Sequence, residues 1–218
     1  MQFDLSNIVV KLCADGMALE AQGKKEEAQE LFQEAWNKAA SDFESFTAAH
    51  YLARNQKDPE KNLYWNKVSL ERALLVNNGD MAGVYPSLYL NLGKSYEDLG
   101  SITEAAENYN IAAAKSIDLP KGPYSDMIKS GISEGLKRTG AAAYKNPKIE
   151  QLVSSWCERK ALKPLSFILP AYVGNLGTEN DINRLVSAFS YLSATHCLDG
   201  EDQKTADELI IELVNIDF

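Results

Sequence analysis

The chain has 218 residues, of which 45% are hydrophobic, and its 22 basic and 31 acidic side chains give a formal charge of −9. This apolar fraction is typical of a globular protein and excludes a disordered or collagen-like polymer, while the length predicts one domain or one domain with a small extension. The acidic balance argues against nucleic acid as a partner, because affinity for phosphates depends on clustered Lys and Arg.

Several features predict a cytoplasmic protein. No segment has the roughly 18 consecutive apolar residues that a membrane helix needs, so we expect no membrane partner. Asp4 lies where a signal peptide would carry a basic flank. Cys13, Cys157 and Cys197 are too few and too far apart for a disulfide framework, which indicates a reducing compartment.

Helical periodicity dominates the chain and predicts an all-α fold. The first two helices are predicted at about residues 7–22 and 25–40, separated by Gly23. A proline follows a helix-starting residue in the pairs Asp58-Pro59, Tyr85-Pro86, Gly122-Pro123 and Asn146-Pro147. Ser101 and Glu104 have the spacing of a capping box, and Asp199 has the position of a similar cap.

The clearest internal pattern begins at Tyr89 and continues with Leu92, Gly93 and Tyr96, followed by a turn at Gly100. The next helix then supplies Ala105, Tyr109 and Ala112, and Pro120 closes the segment. This pattern resembles the tetratricopeptide repeat, a unit of two antiparallel helices. The resemblance implies that Gly93 and Ala105 are small so that the two helices can approach closely.

Three weaker copies surround this unit, and the proposed repeats span about residues 6–40, 44–78, 86–120 and 123–140. In the second copy, the turn from about Gln56 to Asn62 looks about five residues longer than the repeat allows. The resemblance therefore predicts a superhelix of helical hairpins over residues 1–140. Residues 141–218 are predicted to form a helical C-terminal cap on this array or a separate small extension.

In the C-terminal segment, helices are predicted at about residues 148–160, 180–197 and 201–216. An apolar stretch at residues 165–173 separates the first two of these helices. Within it, residues 167–173 offer a surface for self-association, so a homodimer is one alternative.

Motifs for chemistry are absent from the sequence. The cysteines lack the spacing of a zinc site, so we expect no metal. Only His50 and His196 could serve as a base, and neither lies near a nucleophile motif. Gly174 and Gly177 follow no strand that would make them a nucleotide-binding loop. We expect no cofactor and no enzymatic activity.

The resemblance instead implies a binding groove lined by the first helix of each pair. His50 and Arg54 share one helix face, and Asn91 and Lys94 flank Gly93. Asn91 is the strongest single candidate, because family members that bind peptides use an asparagine here to grip the ligand backbone. Two further candidates, Tyr124 and Lys129, lie in the fourth copy.

These residues predict a locally basic groove that suits an acidic peptide. The plainer interpretation is that the cations are solvated surface residues, with Lys94 paired to Asp98 four residues later.

The three tryptophans and Asn66 need separate interpretations. Trp36, Trp65 and Trp156 fall on apolar helical stripes and are predicted to pack in the core. Asn66 occupies a small-residue packing position where its amide needs a partner, which we expect to be His50 or Arg54.

The sequence therefore favours a non-enzymatic protein-interaction module that docks a partner peptide or helix in the groove. Its local blocks also resemble those of short, uncharacterised bacterial tetratricopeptide-repeat proteins. The alternative is a regulatory protein that senses a small peptide or metabolite and acts through another protein.

Overall fold

A computed structural model describes residues 4, 6–76, 79–141 and 146–216 of the chain. The described residues form eleven α-helices and no β-strand, which confirms the all-α prediction. They divide into two compact units, Met1–Lys121 and Gly122–Phe218. The ends of the predicted segments at residues 1, 78 and 218 lie outside the described residues.

The first unit consists of three helical hairpins. Their helices are α1 (Ile8–Ala21) with α2 (Lys25–Lys38), α3 (Asp42–Arg54) with α4 (Pro59–Leu75), and α5 (Tyr85–Asp98) with α6 (Ile102–Lys115). Within each hairpin the two helices pack extensively against one another, and α2 packs on α3 as α4 does on α5. Short 3₁₀ segments at Gly79–Val84 and Ser116–Asp118 complete the unit.

The turn of the second hairpin differs from its prediction. Residues 55–58 connect α3 to α4, whereas residues 22–24 and 99–101 connect the other two pairs. The turn is therefore one residue longer than its counterparts, and the expected insertion of about five residues is wrong. The helix starts at Pro59, as the Asp58-Pro59 pair predicts, and the Asp58 side chain accepts a hydrogen bond from the Glu60 backbone.

Local capping follows the sequence only in part. Pro123 and Pro147 begin helices as predicted, and Pro86 lies in the first turn of α5. The predicted capping box at Ser101 is wrong, because its side chain makes no cap hydrogen bond. A complete capping box instead opens α3, where Ser41 and Glu44 satisfy each other's backbone N–H groups.

Small residues allow the paired helices to approach closely. A Cβ atom at Gly16 would lie 2.3 Å from the Phe32 ring, and one at Gly93 would lie 2.6 Å from the Tyr109 ring. Ala105 is fully buried. The close approach predicted at Gly93 and Ala105 is therefore confirmed.

The second unit contains α7 (Pro123–Arg138), α8 (Pro147–Glu158), α9 (Leu162–Val173), α10 (Glu179–Ala194) and α11 (Gly200–Val214). Successive helices from α8 to α11 pack on one another, and α11 also contacts α8. Their shared core includes Trp156, Ile168 and Phe189. The apolar stretch after α8 is itself helical, because Leu165, Ile168 and Ala171 bury one face despite Pro170.

The division between the units falls before Gly122, so α7 belongs to the second unit. The repeat pattern predicts instead that the same segment, residues 123–140, belongs with the repeats. A cap formed by the C-terminal segment stays a prediction. Among the described residues, no helix has both the length and the apolar character needed to cross a membrane.

Candidate binding pocket of the first unit

The second helix of each hairpin uses its eighth residue as a packing position. In α2 and α6 this residue is Phe32 or Tyr109, each fully buried against the glycine of the preceding helix. In α4 the eighth residue is Asn66, which is only 5% exposed. An amide therefore occupies the place that an aromatic ring fills in the neighbouring hairpins.

The fourth residue of the second helix in each hairpin shows a similar exchange of an apolar residue for an amide. It is the fully buried Ala28 in α2 and Ala105 in α6, but Asn62 in α4. The Asn62 Nδ2 donates to the Ala53 carbonyl at 2.8 Å, and its Oδ1 accepts from the Asn66 Nδ2 at 3.0 Å. Two neighbouring core positions of the middle hairpin are thus polar and bonded to each other.

Ser95 of α5 completes this amide cluster. Its hydroxyl lies 2.5 Å from the Asn62 Oδ1 and 2.9 Å from the Asn91 carbonyl, and it accepts from the Asn66 Nδ2 at 2.9 Å. These bonds are buried or partly buried, and they offset the desolvation cost of the two amides. The prediction that Asn66 bonds to His50 or Arg54 is wrong, since its partners are Asn62 and Ser95.

Beside the amide cluster lies a pocket of about 430 Å³. It is formed within the first unit by α1, α3, α4, α5 and the turn after α3. Five of the seven residues singled out from the sequence line it: His50, Arg54, Asn66, Asn91 and Lys94. We name this space the amide pocket.

The remaining two candidates lie in the second unit. Tyr124 is 46% exposed near the start of α7. The Lys129 side chain is only 13% exposed, and its Nζ lies 3.9 Å from the buried Asp181 carboxylate. Lys129 therefore already faces an acidic group of its own unit.

Charges in the amide pocket are balanced rather than basic. The Arg54 Nε lies 3.1 Å from the Glu20 carboxylate, and the Lys94 Nζ lies 3.0 Å from that of Asp98. Both carboxylates also line the pocket. The predicted pairing of Lys94 with Asp98 is confirmed, and neither cation is left as an uncompensated charge.

His50 forms part of the pocket wall while its ring packs between aromatic neighbours. The ring centroids of Phe46 and Tyr51 lie 6.4 and 5.3 Å from that of the imidazole. The Nδ1 atom is buried without a hydrogen-bond partner among the described residues. Burial, and secondarily the positive charge of Arg54, lowers the pKa of His50 to about 4, so the ring is neutral near pH 7.

Asn91 differs from the other two asparagines on this surface. Its backbone carbonyl accepts from Ser95, but within the described parts of the chain its side-chain amide makes no hydrogen bond. The side chain is half-buried and borders the pocket. Both its donor and its acceptor are therefore available to a ligand.

Sequence reasoning missed Asn62, Ser95 and Glu20. Counting from the proline that begins α4 would have revealed Asn62 and Asn66 as the fourth and eighth residues. Glu20 gave no such signal, because its contact with Arg54 joins residues 34 positions apart.

Over the described ranges, no group of three or more His, Cys, Asp or Glu side chains could hold a metal ion. Comparison of the chain with models of protein families, with curated proteins and with solved structures finds no match.

Proposed function

We propose that the protein is a non-enzymatic interaction module, similar to a tetratricopeptide-repeat protein, that docks a peptide segment of a partner protein in the amide pocket. The observation that carries this proposal is the exchange at α4, where Asn62 and Asn66 replace an alanine and an aromatic residue. Replacing a ring by an amide at a packing position gives up apolar burial, about 1.5–3 kcal/mol for a large side chain. We attribute this loss of apolar burial to the need for a polar binding surface.

The arrangement of polar groups supports a peptide as the occupant. An extended peptide presents alternating N–H and C=O groups, and the Asn91 amide can bond to both kinds. Asn91 also takes the position that the family resemblance assigns to backbone binding. Because Arg54 and Lys94 are already paired, an acidic segment gains less from this pocket than the sequence alone suggested.

The proposal also includes the location of the protein, the classes of partner it lacks and the arrangement of its hairpins. We place the protein in the cytoplasm of a bacterium, without nucleic acid, membrane or cofactor as a partner. The superhelical arrangement of the hairpins and the capping role of the C-terminal segment belong to the same proposal.

The engagement of the pocket's carboxylates supports binding over catalysis. Glu20 is bonded to Arg54 and Asn55, and Asp98 to Lys94. For His50 to act as a general base, a third group such as a carboxylate would normally orient its ring through a hydrogen bond. Glu20 and Asp98 bond to other residues instead. We therefore propose that His50 shapes the pocket wall.

Selection from a random-peptide display library tests the proposal. We expect the full-length protein to enrich peptides that bind it but bind Asn91→Ala at least about tenfold more weakly, since the variant loses both polar contacts. Asn37→Ala, an exposed asparagine outside the pocket, is the matched control. Enriched peptides that bind Asn91→Ala as well as the wild type would exclude the amide pocket as the docking site.

The size of the pocket favours a second candidate function, the sensing of a small peptide or metabolite. A volume of about 430 Å³ falls within the range of small-molecule sites. Thermal-shift screening separates the two candidates, because a small ligand that binds the folded state raises the melting temperature. A stabilising metabolite whose effect disappears in Asn91→Ala would favour the sensor.

Self-association is the third arrangement to be distinguished. In the segment proposed for it, Phe167 and Val173 are exposed on α9, and the Phe167 ring packs at a tilt against Tyr191 with the ring centroids 4.5 Å apart. Light scattering after size exclusion measures the mass directly. A strict monomer at high concentration would eliminate the homodimer.

A further inference from the structure

We propose that the amide pocket receives a guanidinium group, that of an arginine side chain in the docked segment. This inference rests on the proposed function and deepens it by naming the chemistry that the pocket selects. It departs from the acidic partner that the sequence suggested.

Two amides of α4 turn their donors toward the protein. The Asn62 Nδ2 must face the Ala53 carbonyl, which can only accept, so the Asn62 Oδ1 faces Asn66 and requires a donor from it. The Asn66 Nδ2 therefore points at Asn62 and Ser95, which uses both of its hydrogens. This leaves the Asn66 Oδ1 without a partner among the described residues.

The turn after α3 repeats this arrangement. The Gln56 Nε2 donates to the Leu52 carbonyl at 2.9 Å, and the Asn55 Nδ2 donates to the Glu20 carboxylate. Both acceptors are fixed, so among the described residues the amide oxygens of Gln56 and Asn55 stay free to accept a hydrogen bond. Both residues line the pocket, which therefore presents the amide oxygens of Asn55, Gln56, Asn66 and Asn91 to a donor.

Electrostatics favours a cation in the same place. Residues 1–121 contain 12 basic and 18 acidic side chains, so the first unit carries a net negative charge. Inside the pocket the cations of Arg54 and Lys94 are each compensated by a carboxylate within 3.1 Å. The neutral His50 ring adds no repulsion, so an incoming cation meets a balanced site within a negative unit.

Geometry favours guanidinium over ammonium. Arginine presents five N–H donors in a rigid plane, which suits acceptors that approach from several directions. Acceptors border the pocket from α4 at Asn66, from α5 at Asn91 and from the turn at Asn55 and Gln56. A single ammonium on a flexible stem cannot reach all of these sides at once.

Titration of the ¹⁵N-labelled full chain with small probes tests the inference. The probes are N-acetyl-arginine amide, its neutral analogue N-acetyl-citrulline amide, N-acetyl-lysine amide and N-acetyl-glutamate amide, each at millimolar concentration. We expect the arginine probe to shift the side-chain amide resonances of Asn62, Asn66 and Asn91 saturably and to bind most tightly. Preference for citrulline, lysine or glutamate, or no shift with any probe, would overturn the guanidinium assignment.

A charge variant provides the second arm of the experiment. Asn91→Asp keeps the side-chain shape and adds a negative charge, so it should tighten the arginine probe by about fivefold at low salt. Asn37→Asp makes the same change outside the pocket and should alter the affinity by less than about twofold. Equal effects of the two substitutions would show attraction to the whole unit rather than recognition in the pocket.

The outcomes distinguish the guanidinium proposal from the peptide-docking function on which it rests. Display-selected peptides that depend on Asn91 but lack arginine would refute the guanidinium and leave the peptide site standing. Arginine-containing peptides that bind independently of Asn91 would refute both.

Discussion

An asparagine at a tightly packed helix position needs hydrogen-bond partners, and the middle hairpin of this protein provides them at two positions. Asn62 and Asn66 bond to each other and share Ser95 with the next helix. In the repeat alignment, the preceding helix α3 carries the fully buried Ala49 where α1 and α5 carry Gly16 and Gly93.

We expect that the aromatic residue found in the other two hairpins can be restored at position 66 of the middle hairpin. In the double variant Ala49→Gly/Asn66→Phe, a buried ring gains about 1.5–3 kcal/mol and the helical glycine costs about 1 kcal/mol. Asn62 keeps its bonds to Ala53 and Ser95. We expect the variant to be more stable than wild type by about 1 kcal/mol in urea unfolding.

Asn66→Ala is the comparison for that experiment. It should lose about 1 kcal/mol, because it removes two hydrogen bonds and fills no space. A double variant less stable than Asn66→Ala would contradict the assignment of residue 66 to the aromatic position.

The close approach in the third hairpin leads to a second prediction. Gly93→Ala places a Cβ 2.6 Å from the Tyr109 ring, and we expect a loss of about 1–3 kcal/mol despite the better helix propensity of alanine. Gly200→Ala is the matched control, since a Cβ there meets nothing within 4 Å. Equal melting temperatures for the two variants would argue against tight packing at Gly93.

The buried imidazole leads to a prediction about pH. The pKa of His50 is about 4 in the folded protein against 6.5 ordinarily, so the unfolded chain takes up the proton first as the pH falls. The stabilisation is complete above pH 6.5 and is lost toward pH 4, by on the order of 2–3 kcal/mol. We expect His50→Gln to flatten the fall in melting temperature between pH 6.5 and 5.

That window avoids the titration of Glu44, whose pKa is lowered by hydrogen bonds from the Ala40 backbone and Asn7 and whose contribution disappears only at lower pH. His196→Asn is the control, because asparagine tolerates the left-handed backbone of this residue. If His196→Asn changed the slope as much as His50→Gln, the buried ring would not be its source.

At the scale of helices, local patterns predicted where several elements begin but not how their polar side chains are used. Proline pairs located the starts of α4, α7 and α8, because proline at the first helical position is a local requirement. The role of Asn66 depended on the register between two helices. The insertion predicted in the turn after α3 was about four residues too long, and an error of that size shifts the assigned position of Asn66 by about one helical turn.

Helix capping offers a paired test at this scale. Ser41→Ala removes a complete capping box from α3 and should cost about 1 kcal/mol. Ser101→Ala removes a side chain that makes no cap hydrogen bond and should cost less than about 0.5 kcal/mol. The two serines have the same sequence signature, so equal losses by chemical denaturation would contradict the structural distinction between them.

At the scale of the whole chain, the amide pocket is contained in one compact unit. All of its wall residues lie between Glu20 and Asp98, within the first unit. The sequence grouped His50, Arg54, Asn66, Asn91 and Lys94 through the repeat pattern, which is a regular arrangement of helices. It predicted that Asp98 neutralises Lys94, four residues away, but it could not show that Glu20 neutralises Arg54, because those two residues lie 34 positions apart.

The affinity of display-selected peptides for the Ala49→Gly/Asn66→Phe variant tests the central claim most directly. The account predicts a folded and stable protein that has lost binding at least about tenfold, because the ring occupies the space next to Asn91. The Asn37→Ala protein should retain wild-type affinity in the same titration. Unchanged affinity in the folded double variant would show that the exchange at α4 does not create the binding site.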